Sequence, residues 1–286
     1  MDTVSPLKIA LASNVINVLL DPLLIFTARM GILGAGLATA ASQLFSAAVY
    51  LALLLRRKLV RWGSIFRIPS RAALTRLATA GGAVQLRSAA LNLAFLWITK
   101  TVQGLDSTGT AAAAHAVTIQ LWQLGGVVLF ALSTVASIII PAELNREGGG
   151  VACARSAASR LLTWGLLLGA GLGAAQLAAL PLLGVFTPLP EVQRAAVAPS
   201  IIGAVLQLLN GVTFVGEGVM VGTQSFGALA AGQVLATASL LLALHLAPST
   251  LPAVWGCFWV FNAIRFANVM LHHFVRGPLV SARRKF

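Results

Sequence analysis

Apolar runs longer than a membrane-spanning helix alternate along this chain with short gaps that hold most of the charge. Residues 107–142 contain no Asp, Glu, Lys or Arg, and neither do 161–190, 195–216 or 218–264. A helix crosses the hydrocarbon core with about 20 apolar residues, at 1.5 Å of rise each. The run 218–264 is too long for one such helix. It breaks near Pro248 and Pro252, because proline lacks an amide to donate and restricts its predecessor. The pattern predicts eight spans, near 7–27, 31–55, 77–99, 112–140, 157–183, 196–222, 226–246 and 251–274. Gly165, Gly169 and Gly173 recur every four residues, as do Gly218 and Gly222, which is the spacing of a close-packing helix face in lipid. The expected fold class is an all-α membrane protein of about eight transmembrane helices.

Charge sets the orientation. The chain has 20 Lys+Arg against 7 Asp+Glu, a net charge of +13. Such a balance raises nucleic acid as a partner, but the basic residues lie in gaps between apolar runs and form no polar face, so that partner is excluded. Alternating the loops across a membrane places Lys8, the cluster Arg56 to Arg76, Arg146, Arg155, Arg160, Arg276 and the final basic residues on one side. Arg29, Lys100 and Arg194 fall on the other. That split is fifteen to three, and by the positive-inside rule both termini are cytoplasmic or stromal. Arg87 and Arg265 are the two cations that fall inside spans. Arg87 is expected to snorkel to the basic side, and Lys100 to end its helix at the opposite interface. Arg265 lies deeper, where an ion pair with an acid elsewhere is open to it, though nothing else in the sequence supports one.

Composition narrows the function classes. Hydrophobic residues make up 58% of the chain and charged residues 9%, which excludes a water-soluble globular enzyme and a disordered chain. There is no phosphate-binding GxxxxGK[ST] loop, no HExxH and no GxSxG, so no enzyme and no cofactor are expected. Cys153 and Cys257 are far apart, and His115, His245, His272 and His273 show no ligand spacing, so no metal is expected. The chain enters its first apolar run by Leu7, with no signal or transit peptide visible.

The longest polar stretch separates two spans from six. The expected organisation is 1–56 as the end of a first lobe, 57–76 as a basic cytoplasmic or stromal linker, 77–275 as a six-helix second lobe, and 276–286 as a basic tail. Paired repeats of this kind are common in transporters.

Ionisable and amide side chains inside spans are the candidates for function, since they are costly in lipid. Glu217, between Gly216 and Gly218, is the foremost candidate for ion coupling, with Asn210 and Thr213 on its helical face. A carboxyl there can take up and release a proton, or can simply bond a neighbouring helix. Asp21, followed by Pro22 and sharing a face with Asn14 and Asn17, is a second coupling candidate or a turn residue. Gln85, Ser88 and Asn92 in the third span, and His115, Gln120 and Gln123 in the fourth, line a substrate path or tie helices together.

Several segments resemble a known family. Asp2 to Pro22, DTVSPLKIALASNVINVLLDP, is similar to the fifth helix of the multidrug and toxic compound extrusion (MATE) family, and Gly31 to Gln43, GILGAGLATAASQ, to the next turn and sixth helix. Ala113 to Trp122, AAHAVTIQLW, resembles the eighth helix, and Ala136 to Pro141 its end. Leu208 to Gly222, LLNGVTFVGEGVMVG, resembles the tenth, with Glu217 on the family's acidic position, and Trp255 to Arg265 the last. The EG pair looks most like the plant and algal plastid-envelope branch, which includes salicylate-pathway exporters.

The resemblance implies an antiporter of two six-helix lobes that exports small organic cations or anions in exchange for protons or sodium. It also implies that helices one to four are missing here. It places the chain in the plastid envelope, with the plasma or vacuolar membrane as alternatives. Its expected partners are membrane lipids, a small organic substrate and a proton or sodium ion. The third span has no carboxylate, so Glu217 would act largely alone. The alternative is a truncated, non-transporting scaffold, or a half-transporter that needs a partner chain.

Overall fold

In lipid the backbone must satisfy its own hydrogen bonds, which favours long uninterrupted helices. The computed structural model describes residues 4–65, 69–246 and 249–280. Within these the secondary structure is helical, without strands. Arg67, Pro248 and the last six residues of the basic tail lie outside the described residues.

The chain forms two compact units, Met1–Leu74 and Thr75–Phe286. The first is a helical hairpin. Helix α1 (Val4–Pro22) continues as a π-helical turn, Leu23–Thr27, and pairs with α2 (Gly31–Arg56). The chain reverses through Arg29 and Gly31, both at φ 55°. At Gly34 a Cβ would lie 2.7 Å from the Leu24 carbonyl carbon, so only glycine allows this approach. Ser13 donates to the Ser42 carbonyl at 2.8 Å across the hairpin.

Six long helices build the second unit: α3 (Arg71–Gln103, starting just before the boundary), α4 (Thr110–Asn145), α5 (Val151–Ala178), α6 (Pro190–Gly222), α7 (Phe226–His245) and α8 (Leu251–Leu271). A π-helical turn, His272–Arg276, extends α8. Among the described residues seven helices are long and apolar enough to cross a membrane. Helix α3 is the eighth long helix and is not one of the seven, because Gln85, Arg87 and Asn92 interrupt its apolar run. The span expected at 157–183 runs instead from Val151 to Ala178, then breaks into short turns at Leu180–Leu182 and Leu183–Phe186.

Helix α6 is the most enclosed, packed against α4, α5 and α8. Small residues permit this. A Cβ on Gly165, Gly169 or Gly173 would collide with the backbone carbonyls of Gly211, Gln207 and Ala204 on α6. The four-residue glycine pattern is therefore the α5–α6 seam. The Gln207 amide donates to the Trp122 carbonyl at 2.9 Å, and Gln176 to that of Ser200 at 3.1 Å. An apolar cluster that includes Trp122, Trp255, Phe258 and Phe261 fills the centre.

Outside the spans, Asp106 organises the turn into α4. Its carboxylate accepts from the amides of Ala111 at 2.8 Å and Gly109 at 2.6 Å, and from the Thr108 hydroxyl at 3.2 Å. The Ala111 amide is the chief cause that holds the Asp106 carboxyl below its usual value.

Candidate functional site

Glu217 lies near the end of α6, buried, and the structure gives it two cationic partners. Arg87 of α3 donates through Nη2 to Oε2. Arg265 of α8 donates through Nε at 2.9 Å and Nη2 at 2.8 Å to Oε1. Its Nη1 reaches the Asn262 Oδ1 at 3.4 Å, and its guanidinium lies 5.4 and 5.3 Å from the ring centroids of Phe214 and Phe261. One carboxylate thus joins three helices. The side chains of Glu217 and Arg265 are 7% and 4% exposed, whereas that of Arg87 is 23% exposed. Arg265 is fixed on all sides and Arg87 is the outer, looser arm.

The flanking glycines serve packing. A Cβ on Gly216 would strike Val269 of α8, and one on Gly218 the Ser133 carbonyl of α4. The α6 helix runs through both residues without unwinding. Gly216 thus lets α6 lie close to α8, which carries Arg265, and Gly218 lets it lie close to α4.

Arg87 corrects the expectation that it snorkels to the interface. At mid-helix, pairing with a buried carboxylate replaces the hydration it would otherwise seek. Lys100 is exposed at its helix end, 4.9 Å from the Trp97 ring centroid.

The other candidates divide by burial. Asn210 is fully buried, with no hydrogen-bond partner at Oδ1 or Nδ2. Thr213 is also buried, but its hydroxyl is used by the Leu209 carbonyl at 2.7 Å. His115 is buried, with Nδ1 unpartnered and its ring 5.9 Å from that of Trp255. Gln85, Asn92, Gln120 and Gln123 are exposed and make no direct bond to Glu217. Asp21 belongs to the hairpin unit and is half-buried. Among the described residues no three His, Cys, Asp or Glu side chains are grouped as metal ligands.

The partnership of Arg87 and Arg265 was missing from the expected site. A signal for it existed: these are the two cations that loop alternation leaves inside spans, and Glu217 is the one acid within the spans of the same six-helix block. Which acid met which arginine depends on helix packing that loop charges do not encode.

Seven apolar spanning helices and this buried ionic centre define a multi-pass integral membrane protein. No family model matches the chain. Over 92% of its length it is 29% identical to Protein DETOXIFICATION 44, chloroplastic, from Arabidopsis thaliana, covering 50% of that protein. Protein DETOXIFICATION 43 of the same plant is 26% identical over 92% of this chain and 49% of its own. The chain therefore spans about half the length of the curated relatives it matches. Among solved structures it covers 62% of the Vibrio cholerae MATE transporter VcmN in its bent form, at TM-score 0.77 and 19% identity over 95% of this chain. It also covers 62% of a MATE protein in the bent conformation, at TM-score 0.79 and 16% identity over 97% of this chain. The chain has the fold of MATE transporters and resembles that family, a family of transporters and not of enzymes, over nearly all of its length.

Proposed function

We propose that this chain supplies a hairpin and one six-helix lobe of a MATE-type secondary transporter, an antiporter that exchanges small organic compounds for protons or sodium. The observation that carries the reading is Glu217 held between Arg87 and Arg265. An ionised Glu217 leaves the cluster with one net positive charge inside the membrane. A proton on Glu217 removes the charge that ties α3 and α8 to α6, and two adjacent guanidiniums then repel. An anionic group held at the outer Arg87 while Glu217 is ionised is released when the freed Arg87 swings away, so cargo and proton occupy the site in turn, as antiport requires. Coupling is then an exchange of ion pairs, with Arg87 as the arm that moves. A bound species can shift such an equilibrium only through different affinity for the two arrangements, which this exchange provides. The excess charge favours anionic over cationic cargo.

The test uses the purified chain in proteoliposomes under an imposed pH gradient, with membrane-impermeant 2-naphthalenesulfonate as the anionic probe and ethidium as the cationic one. The chain is expected to move the sulfonate, and Glu217→Gln to stop it. Normal gradient-driven flux in Glu217→Gln refutes the reading.

A second reading rests on the hairpin unit. Only 11% of each hairpin helix's most apolar stretch is buried. Its free faces suit further helices, from another chain or segment, that complete a lobe. Movement of neither probe by this chain alone, with flux restored by co-reconstitution with the first four helices of a DETOXIFICATION relative, would favour that half-transporter reading. We place the protein in the plastid envelope on its likeness to the chloroplastic relative, which fractionation of native membranes tests.

A further inference from the structure

Helix α2 ends at Arg56, and Lys58 follows in the left-handed conformation, at φ 57°. The Lys58 amide donates to the Leu55 carbonyl and the Leu59 amide to that of Leu54, both at 3.0 Å. This is the Schellman way of closing a helix, and it folds the residue after the left-handed one back against the last turn. Leu59 and Leu54 thereby become walls of one groove of about 160 Å³, together with Pro6 of α1 and Tyr50 of α2. The groove follows α2 from Arg57 back to Tyr50, about 10 Å into the spanning part of the helix. It is open: Pro6, Tyr50, Leu54 and Leu59 are all exposed.

The mouth of the groove is basic. Arg57 Nη2 donates to Ser5 Oγ at 3.2 Å, which sets the guanidinium between the end of α2 and the start of α1. Arg57 is exposed, and so are Lys8, Arg56, Lys58 and Arg61. Asp21 is the one acid among the described residues of this unit, and it lies sixteen residues along α1 from Ser5, about 24 Å away. Asp2 lies outside the described residues. Tyr50 and Trp62 are exposed aromatics of the kind that sits at headgroup depth. An open apolar groove that ends at a basic mouth offers two chemistries in a fixed order, first for a hydrocarbon chain and then for an anion. Lys and Arg clustered beside a spanning helix attract acidic lipids, and a guanidinium binds phosphate through charge-assisted hydrogen bonds.

We propose that this groove holds one acidic phospholipid, with its phosphate at Arg57 and one end of an acyl chain along Leu54, Leu59 and Tyr50. A zwitterionic lipid brings the same phosphate but also a cation into the same basic ring, and so binds less well. The site rests on the hairpin unit alone. It does not depend on Glu217 and needs no transport cycle to be occupied.

Native mass spectrometry of the full chain, released from nanodiscs holding equal amounts of phosphatidylglycerol and phosphatidylcholine with matched chains, reads the last lipid retained. The wild type is expected to keep one phosphatidylglycerol in about tenfold preference. A large excess of glycerol 3-phosphate, a headgroup phosphate without chains, does not displace it. Arg57→Gln brings the ratio to within about twofold of parity. Lys58→Gly removes an equal charge from the same loop, at a position whose backbone suits glycine, and keeps most of the preference. Leu54→Trp fills the groove with every charge in place and removes the retained lipid. All three substitutions are at exposed positions, so the fold tolerates them. Equal retention of the two lipids by the wild type would give the groove to a protein segment instead and overturns the proposal. Equal losses in Arg57→Gln and Lys58→Gly, which mean diffuse charge, also overturn it, as do displacement by glycerol 3-phosphate and a preference that survives Leu54→Trp.

Discussion

Replacing Glu217 by glutamine keeps the shape of the side chain and removes its charge, which makes it the sharpest probe of the ionic centre. The variant leaves two guanidiniums facing a neutral amide whose NH2 also points donors at donors. Arg265 is the more exposed to this loss: its side chain is 4% accessible, and its Nε and Nη2 both depend on Oε1. Breaking one member of a buried pair costs about 3–5 kcal/mol, because the remaining charge is stranded. Arg87 softens the upper end of that range, since it is 23% accessible and can turn toward water. For a unit of this size each kcal/mol moves the midpoint by roughly 2–4 °C, so the full range corresponds to about 6–20 °C and the expected loss lies in its lower half. The assay is intrinsic-fluorescence thermal unfolding in one detergent at one scan rate, because membrane proteins commonly unfold irreversibly. Replacing all three residues together, Glu217→Leu with Arg87→Met and Arg265→Met, is expected to recover most of the midpoint, since a wholly apolar cluster strands no charge. A Glu217→Gln midpoint within about 2 °C of wild type would refute the argument that the carboxylate ties the three helices.

The remaining expectations concern single elements. Arg265→Lys should lower the midpoint more than Arg87→Lys, because lysine cannot reproduce the Nε and Nη2 fork or its place between Phe214 and Phe261; the same unfolding assay checks the order. Gly169→Val should prevent closure of the α5–α6 seam, since its side chain would strike the Gln207 carbonyl, and is read as loss of a monodisperse peak on size exclusion. Asp106→Ala should speed amide exchange at Gly109 and Ala111, whose amides lose their acceptor. Because the folded-state carboxyl of Asp106 lies below its usual 3.8, its stabilising contribution is present at neutral pH and is lost as pH falls through the folded value; exchange in the wild type should approach that of the variant only there.

Much of this architecture was legible in the alternation of apolar runs and basic gaps. Helices near 31–55, 226–246 and 251–274 appear close to those limits, because their ends coincide with a glycine turn, a basic pair or a proline. The limits slipped where polar residues extend a helix beyond the lipid. Helix α3 begins at Arg71 and ends at Gln103, and α4 runs through Pro141 to Asn145, since water can solvate those turns as well as loops. The glycine spacing at 165, 169 and 173 showed a packing face, though not which helix would fill it. Glu217 stood out as an acid within a span. Its partners did not, because Arg87 and Arg265 lie 130 and 48 residues away in sequence and meet only through folding. The phase of the exposed amides Gln85, Asn92, Gln120 and Gln123 depended in the same way on which faces the neighbouring helices cover.

In the proposed cycle, protonation of Glu217 exchanges its ion pairs and so couples proton movement to cargo. The most direct test traps a pH-sensitive dye inside proteoliposomes and records internal pH while 2-naphthalenesulfonate is added outside. Proton movement is expected to begin with the sulfonate flux in wild type, to be absent in Glu217→Gln, and to be absent in the apolar triple variant even where its stability is recovered. Proton movement of wild-type size in Glu217→Gln would contradict that coupling.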